Sequence, residues 1–483
     1  MAIPAWTLTY YCLCHPLAKV PGPWTGTFFP FWSMASLFRR KWNPELQKLH
    51  QHYGPVVRVG PNQLSFSSIE SHRMIYNSKP ASTGSDAYFS KAGTMHLLFS
   101  MITKTPNLGT IANHTEHRAL RKRLHSAFTL NAVFKQEGLM RLHIDRALEG
   151  IAQTKGPVDL TEAFSVLAWE MIGDLSFGEP LVPERRKTLS LVVELWQRTF
   201  FLLEGLNHVI PHVEAVMKLA GRLAPQATLR SILPGTTLRN YIDRQDGRSD
   251  FLTLIMGGEN ERGKPNLDLS YDELHSNATL LVLAGNKTSE TALSAIFHHL
   301  LANPEILQAL RRELHSHFTN VEDITAAKLL SLDYLNGCIN ESLRLAPPLP
   351  GKVACRRCPG VEMEGFYVPA GTEVYADVFT LQRNDRYWHA ADEYRPERWF
   401  QRNEGSPYTN DAHEAFKPFG LGPRLCIGKE LALQTLRLTT ALVVHRFKLV
   451  SANLGEFVWD RDAASGLGYA NYRILAHVQD DFK

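Results

Sequence analysis

The chain has 483 residues, of which 44% are hydrophobic and 21% are charged, and it carries a net charge of +4. This composition is typical of a globular protein, and the charge is too small to indicate nucleic acid as a partner. The length allows about three domains, but no internal repeat or low-complexity tract divides the sequence. We therefore expect a folded protein of the size of an enzyme.

The N-terminal segment is apolar but short. Pro4 and Pro16 interrupt it before it completes the run of about 20 apolar residues that a membrane-spanning helix needs. It also lacks the basic stretch and small-residue cleavage site of a signal peptide, which argues against secretion. The aromatic and leucine side chains of residues 6–13 fit a membrane interface, and a frayed terminus explains them equally well.

Apolar residues recur three or four positions apart through much of the chain, which predicts α-helices. The clearest helical stretches are residues 44–53, 114–128, 138–153, 160–176, 189–204 and 304–317. Strand-like alternation is limited to residues 55–67 and 361–377, and a Pro-Ala-Gly turn signal interrupts the second stretch. The predicted fold class is mainly α with a minor β region.

The longest helical signal runs from Ser270 to Glu305. Acidic residues in its first turn suit the helix dipole, and Asn303 and Pro304 mark its end and the start of the next helix. Its middle is apolar on nearly all sides, which predicts a helix that crosses the core. Small and polar residues at 284–289 interrupt this apolar run. We interpret them as a functional notch where the helix opens locally, with a tolerated kink as the alternative.

Six cysteines lie at positions 12, 14, 338, 355, 358 and 426 without the spacing of a disulfide framework. In a chain of this size they indicate free thiols in a reducing compartment. Cys355 and Cys358 form a C-x-x-C pair, but the second pair or histidines of a zinc site do not accompany it. We interpret this spacing as coincidence.

The last cysteine lies in the glycine-rich stretch FGLGPRLCIG, residues 419–428. Glycine in a regular element costs up to about 1 kcal/mol relative to alanine, so these glycines indicate a tight turn and close approach to another group. A thiolate that holds haem iron needs shielding and hydrogen bonds to its sulfur. Gly420 and Gly422 allow backbone N–H groups to point at the Cys426 sulfur, and Gly428 leaves room for a helix beside a flat ring. The full spacing is specific, whereas a lone buried cysteine is usually a small hydrophobic residue.

This loop resembles the haem-binding loop of the cytochrome P450 haem-thiolate monooxygenases. The similarity extends to ESLR at 341–344, YRPERW at 394–399, AGNKTS at 284–289 and a proline-rich hinge at 15–23. The motifs follow the family's order, and the hinge is most similar to those of filamentous-fungal members. The resemblance is therefore specific to the family, although it does not identify a substrate.

The resemblance implies the cytochrome P450 fold, with the long central helix crossing the core over the haem. It implies one catalytic domain at residues 24–483, after a membrane-proximal segment and hinge at residues 1–23. It also implies haem b as the cofactor, with Cys426 as the axial thiolate ligand of the iron. The cofactor-binding residues implied by the same motifs are Phe419, Gly420, Arg424, Gly428, His117, Arg121 and Arg356. His117 takes the place of a family tryptophan, and Arg357 is the alternative to Arg356 as a propionate ligand.

A structural cluster is expected behind the haem. Glu341 and Arg344 are three residues apart and share one helix face. A buried pair of this kind needs further partners, and the resemblance implies Arg398 as the third member. The alternative is an exposed pair that contributes about 0–1 kcal/mol.

The notch departs from the family's pattern of an acid followed by an alcohol. Gly285, Thr288 and Ser289 fit that pattern, but Lys287 occupies the acid position. In the family the alcohol hydrogen-bonds dioxygen and a water, and the acid relays protons, so Gly285, Lys287 and Thr288 are the expected catalytic residues. An ammonium cannot relay protons as a carboxylate does unless its pKa falls sharply. Glu290, three residues later, is placed to pair with Lys287 and partly restore a relay.

The resemblance implies a monooxygenase that inserts one atom of O2 into a lipophilic small molecule, by hydroxylation or epoxidation, in fungal secondary metabolism. NADPH-cytochrome P450 reductase is the expected electron donor, since Arg118, Lys122 and Arg123, with Lys417 and Lys429, suit an acidic flavoprotein. A solvated helix face explains the same charges. One alternative is a haem-thiolate isomerase or dehydratase that needs no reductase, which Lys287 mildly favours and against which Thr288 argues. Another is a non-catalytic haem protein, against which the notch alcohol and the aromatic-rich segment 87–111 argue.

The expected location is the cytosolic face of the endoplasmic reticulum membrane, where the protein is a monomer attached to the membrane surface. Substrate specificity is expected to depend on loops near residues 79–115, 199–235 and 465–471. The first of these overlaps the aromatic-rich segment 87–111, which we interpret as a chamber lining, with plain core as the alternative.

Overall fold

The computed structural model describes residues 10–28, 31–77, 88–92, 105–181, 269–352, 354–400, 405–465 and 468–481, with positions 183, 187, 188, 191, 251 and 255. The helix expected at 189–204 and the loop expected at 199–235 lie outside this part of the chain, apart from position 191. Residues 79–87 and 93–104 of the specificity loop expected near 79–115 also lie outside it.

Helices form most of the described chain. In chain order the α-helices are α1 (Trp24–Phe28), α2 (Phe31–Phe38), α3 (Trp42–Tyr53), α4 (Ile69–Asn77), α5 (His114–Leu124), α6 (Leu130–Lys135), α7 (Glu137–Gln153), α8 (Leu160–Phe177), α9 (Tyr271–Ala302), α10 (Pro304–His317), α11 (Ala326–Leu329), α12 (Asp333–Leu345), α13 (Val378–Gln382), α14 (Lys429–Arg446) and α15 (Trp459–Asp462). A π-helical turn spans Tyr10–Cys14, and short 3₁₀ turns span His125–Phe128, Val321–Asp323, Pro396–Trp399, His413–Ala415 and Gly422–Arg424. Among the described helices, none is both long and apolar enough to cross a membrane.

The strands are short and form small sheets. They are β1 (Val56–Gly60), β2 (Gln63–Phe66), β3 (Ser90–Lys91), β4 (Val158–Asp159), β5 (Arg356–Arg357), β6 (Val361–Met363), β7 (Phe366–Val368), β8 (Glu373–Ala376), β9 (Phe447–Ser451), β10 (Ala464–Ser465), β11 (Tyr469–Ala470) and β12 (Leu475–Asp480). The largest sheet has the order β1-β2-β8-β5-β3, in which only the β2–β8 pair is parallel. A second, antiparallel sheet has the order β4-β12-β9, and β6–β7 and β10–β11 are separate hairpins.

The predicted fold class, mainly α with a minor β region, is confirmed. Both stretches with strand-like alternation form strands, and the Pro-Ala-Gly signal lies between β7 and β8, with Gly371 at a φ of +85°. Cys355 and Cys358 flank β5 as free thiols, and burial raises the pKa of each.

The central helix α9 begins and ends almost where its sequence signals predict. Ser270 and Glu273 form a reciprocal capping box, in which the Ser270 amide donates to Glu273 Oε2 at 2.8 Å. Asn303 follows the last turn, and Pro304 begins α10. The main apolar core includes fully buried residues of α9 such as Leu293, together with residues of α7, α8, α10, α12 and α14. The long helix therefore crosses the core.

The helix does not open at residues 284–289, where the sequence led us to expect a local break. Residues Tyr271–Ala302 are α-helical throughout. Thr288 Oγ1 donates to the Ala284 carbonyl oxygen one turn earlier, at 2.7 Å, so the polar side chain is satisfied without a break in the helix. The prediction of a local opening is wrong for this structure.

Candidate active site

The loop before α14 holds Cys426 in a fixed turn. Gly420 and Gly422 have φ angles of +77° and +74°, in the left-handed region that favours glycine. The Cys426 amide donates to the Phe419 carbonyl oxygen at 3.0 Å and closes the loop. Gly428 caps α14, and a Cβ added there would lie 4.0 Å from the Cys426 sulfur, with no other atom nearer. The glycines thus give the loop its shape and leave space beside the thiol.

Gly422→Ala is expected to disrupt this loop far more than Gly420→Ala. Both changes place a side chain at positive φ, which costs about 1–2 kcal/mol. At position 422 the new Cβ would also lie 2.2 Å from the Tyr76 backbone oxygen, whereas at 420 nothing lies within 4 Å. Thermal unfolding midpoints and haem content of the two purified variants measure the difference. Equal losses in both variants would contradict the steric argument.

The thiol of Cys426 is exposed on one side and enclosed on the other. The residue is exposed, yet the surrounding protein raises the pKa of its thiol by burial. The Gly428 amide, by hydrogen bonding, and the Arg121 guanidinium, by its charge, act in the opposite direction on that pKa. Hydrogen bonds and positive charge toward the sulfur are what a coordinating thiolate needs.

Five basic side chains gather beside this loop. Arg424 donates to the carbonyl oxygens of Ile111 and Ala112 at 2.9 and 2.7 Å, and Arg121 donates to that of Leu425 at 2.7 Å. Arg356 is buried and lies over the Tyr76 ring at 5.2 Å. The cluster, which we call the cationic pocket, consists of Lys91, His117, Arg121, Arg356 and Arg424.

The basic side chains of the cationic pocket lower one another's pKa values. Burial, then Arg424 and Arg356, lower the pKa of Lys91 well below its usual value. Burial and Arg356 lower the pKa of Arg424 to about 10, and burial with Arg424, Lys91, Arg121 and His114 lowers that of His117 to about 3. Among the described residues, no carboxylate contributes to these shifts.

Uncompensated buried charge is costly, so an anionic group suits this place. Haem carries two propionates, and the cationic pocket lies next to the loop of Cys426. Ile427 of that loop belongs to one apolar cluster with Leu280 of α9 and Leu120 of α5, so these elements converge. The residues present therefore fit a haem, with a thiol ligand on one side and cations for its carboxylates.

The structure also distinguishes two candidates for the propionate site. Arg356 is 8% exposed and influences Arg424 and Lys91, whereas Arg357 is exposed. Lys91 was missed in the sequence analysis because a single lysine in an apolar stretch gives no local signal. Its position follows from the pairing of β3 with β5, which brings it beside Arg356.

The notch residues occupy different faces of α9. Gly285 lies where α8 approaches, since a Cβ there would be 3.1 Å from Ile172 Cδ1. Lys287 Nζ lies 2.6 Å from Glu290 Oε1, so the pair suggested by the sequence is present. The Tyr472 hydroxyl also lies 3.0 Å from Glu290 Oε1. Sequence reasoning did not single out this tyrosine.

The cluster expected behind the haem is assembled and buried. Arg344 forms two hydrogen bonds to the Glu341 carboxylate, at 2.7 and 2.8 Å, and Arg398 forms one at 2.9 Å. All three side chains are 0% exposed. Arg398 also pairs with Asp411.

A family model described as Cytochrome P450 matches residues 21–467. The chain belongs to the cytochrome P450 family. It is 53% identical to sesterfisheric acid synthase of Neosartorya fischeri, over 98% of this chain and 94% of that protein. It is 41% identical to the cytochrome P450 monooxygenase FUP2 of Fusarium proliferatum (98% and 93% covered) and 38% identical to the cytochrome P450 monooxygenase tpcB of Cochliobolus heterostrophus (98% and 94%).

These comparisons confirm the predicted resemblance to fungal P450 monooxygenases of secondary metabolism. The protein is a monooxygenase of the haem-thiolate type, with a cysteine-ligated haem, dioxygen and a small-molecule substrate. Members of the cytochrome P450 family need a redox partner that supplies electrons. The alternative of an isomerase or dehydratase is not favoured by the names of these relatives.

Proposed function

We propose that this P450 oxidises one carbon of a lipophilic fungal secondary metabolite in successive rounds, up to a carboxylic acid. In each round the protein consumes one O2, with two electrons and two protons from NADPH and solvent, and releases water. The substrate carbon passes from C–H through alcohol and aldehyde to acid. The observation that carries the proposal is 53% identity, along almost the whole of both chains, to a synthase that is named for an acid.

The chain's own residues bind and orient the reacting groups. Cys426 would ligate the haem iron, and the cationic pocket would pair with the haem propionates. When bound, haem supplies the oxygen-activating chemistry. Thr288, whose hydroxyl donates to the Ala284 carbonyl at 2.7 Å, would turn that donor toward dioxygen and pass on a proton. The buried Glu341 cluster supports this arrangement structurally, without a chemical role.

The precursor that the Neosartorya fischeri synthase converts is the substrate with which to test this proposal. The protein is expressed with NADPH-cytochrome P450 reductase and incubated with that precursor, NADPH and isotopically labelled O2. Mass spectrometry is expected to show labelled alcohol, aldehyde and acid appearing in that order. The matched control omits NADPH.

Two outcomes would contradict the proposal. Product that stops at a single labelled alcohol would limit the enzyme to one hydroxylation. Conversion without NADPH, and without label, would favour the isomerase or dehydratase mechanism.

We propose NADPH-cytochrome P450 reductase as the electron donor and the cytosolic face of the endoplasmic reticulum membrane as the location. Arg118, Lys122 and Arg123 of α5 are exposed near the loop of Cys426 and suit an acidic partner. The side chain of Trp24 is 73% exposed and suits a membrane interface. Trp24 is the first residue of the proposed catalytic domain at 24–483, directly after the proposed membrane-proximal segment at 1–23, and the protein is proposed to act as a monomer.

Lys287→Glu is expected to lower the fraction of NADPH electrons that reach product and to raise hydrogen peroxide release. The change would leave Glu290 without its cation and place a like charge three residues away. NADPH consumption, product and peroxide are measured together in the variant and the wild type. Lys448→Glu is the control, because Lys448 is exposed and pairs with Asp481 and not with Glu290. Unchanged coupling in Lys287→Glu would exclude a relay role for position 287.

A further inference from the structure

Tyr472, which follows the β10–β11 hairpin, contacts the central helix α9. It follows β11 by two residues and is 8% exposed, and its ring packs against Trp459 with the centroids 5.0 Å apart. Its hydroxyl oxygen lies 3.0 Å from Glu290 Oε1 and 2.7 Å from Thr291 Oγ1, both on α9. The residue that directly follows the segment 465–471, expected to influence specificity, therefore contacts the helix that carries the notch.

Lys287 and Tyr472 together enclose the Glu290 carboxylate. Lys287 Nζ lies 2.6 Å from Glu290 Oε1 and 4.7 Å from the centre of the Tyr472 ring. The Glu290 side chain is 7% exposed, against 30% for Lys287. A carboxylate buried to this extent needs both a cation and hydrogen-bond donors. The lysine and the tyrosine supply them from two elements.

The hydrogen bonds in this group have a defined direction. Burial and the Glu290 carboxylate raise the pKa of Tyr472 well above its usual value, so its hydroxyl keeps its proton. An ionised carboxylate only accepts hydrogen bonds. Tyr472 therefore donates to Glu290 and accepts from Thr291. The carboxylate is held by a charged donor and a neutral donor at the same oxygen.

We infer that Tyr472 is a positioning residue that holds the Glu290 carboxylate against Lys287, so that Glu290 takes over the role of the acid missing at position 287. Tyr472 acts through Glu290, which lies two residues after Thr288, and needs no contact with substrate. The inference rests on the proposed role of Thr288 in proton delivery. It explains how a P450 with a lysine at the acid position keeps a carboxylate on the helix face where that acid would lie, since residues three apart share a face.

Tyr472→Phe tests this role, because it removes the hydroxyl and keeps the ring over which Lys287 lies. Tyr469→Phe is the matched control: Tyr469 is buried in the β10–β11 hairpin that precedes Tyr472, packs on the same Trp459 at 5.2 Å and has Arg383 and Asp460 among its nearby charged groups. Each haem-loaded protein is mixed with reductase and NADPH without substrate. The measured quantities are the share of NADPH electrons released as hydrogen peroxide and the ratio of NADPH oxidation rates in H2O and D2O.

We expect Tyr472→Phe to raise the peroxide share at least twofold and to change the solvent isotope effect, with Tyr469→Phe matching the wild type. A second measurement compares thermal unfolding midpoints of Tyr472→Phe, Glu290→Gln and the double variant, where coupled residues give non-additive shifts.

If Tyr472→Phe kept the peroxide share and the isotope effect of the wild type, the inference would be overturned. This holds even if the midpoints were non-additive, because the hydroxyl would then have only a structural role. Additive midpoints would also overturn it. Failure of the wild type to oxidise NADPH with the reductase would instead count against the proposed electron donor. In that case the midpoints alone would decide whether Tyr472 holds Glu290.

Discussion

Cys426→Ala is expected to abolish the thiolate-shifted Soret band of the reduced, CO-bound protein, together with NADPH-dependent oxygenation. The thiolate sets the electronic character of the haem iron in this family, and alanine offers no ligand. Because the change removes only one sulfur atom from a loop that backbone hydrogen bonds close, as from the Cys426 amide to the Phe419 carbonyl oxygen, the chain is expected to fold. The measurement is the difference spectrum between the reduced protein with and without CO, for variant and wild type.

Cys14→Ala provides the control for thiol removal. Cys14 is also exposed and free, but it lies in the N-terminal π-helical turn. This variant is expected to keep the thiolate-shifted band. A Cys426→Ala protein that kept the band would assign the axial ligand to another residue and would invalidate the site built around this loop.

Long elements with strong local signals were predictable from the sequence. The capping pattern of Ser270 and Glu273 and the Asn303–Pro304 boundary fix both ends of α9 within a few residues. Two-residue strands such as β3 and β5 were not predicted, since no alternation can develop over so short a length. They form because neighbouring strands supply hydrogen-bond partners: β8 pairs with β5, and β5 pairs with β3.

The local opening of α9 was predicted wrongly for a physical reason. A polar side chain inside an apolar helix needs a partner, and we assumed that the helix would break to provide one. Thr288 instead uses the Ala284 carbonyl of its own helix. Small residues here also serve packing, as the approach of Ile172 to Gly285 shows. Composition alone does not separate these roles.

Contacts within one motif were easier to predict than contacts between distant segments. Glu290 is three residues from Lys287, so helical spacing suggested their pairing. Tyr472 reaches Glu290 from 182 residues away, and Lys91 reaches the cationic pocket through a strand pairing. One sequence carries no signal for such contacts, because they depend on how separate elements pack.

Glu341→Ala is expected to destabilise the folded protein by about 3–5 kcal/mol, the usual cost of leaving a buried charge without its partner. The Glu341 carboxylate accepts from Arg344 and Arg398, from the Trp399 indole at 2.9 Å and from the Arg395 amide at 3.0 Å. Burial alone would raise its pKa, but these donors lower it overall, so the group is ionised when folded. Without the Glu341 carboxylate, the guanidinium groups of Arg344 and Arg398 lie buried side by side.

Chemical unfolding of the purified variants measures this cost, and Glu414→Ala is the control. Glu414 also pairs with an arginine, Arg73, but both side chains are about half exposed. Removal of such a pair costs about 0–1 kcal/mol. A Glu341→Ala variant that differed from the wild type by no more than Glu414→Ala would contradict a structural role for the cluster. The contrast between the variants matters more than either value, because each removes a carboxylate that pairs with arginine: Glu341 is buried between two arginines, whereas Glu414 is half exposed beside one.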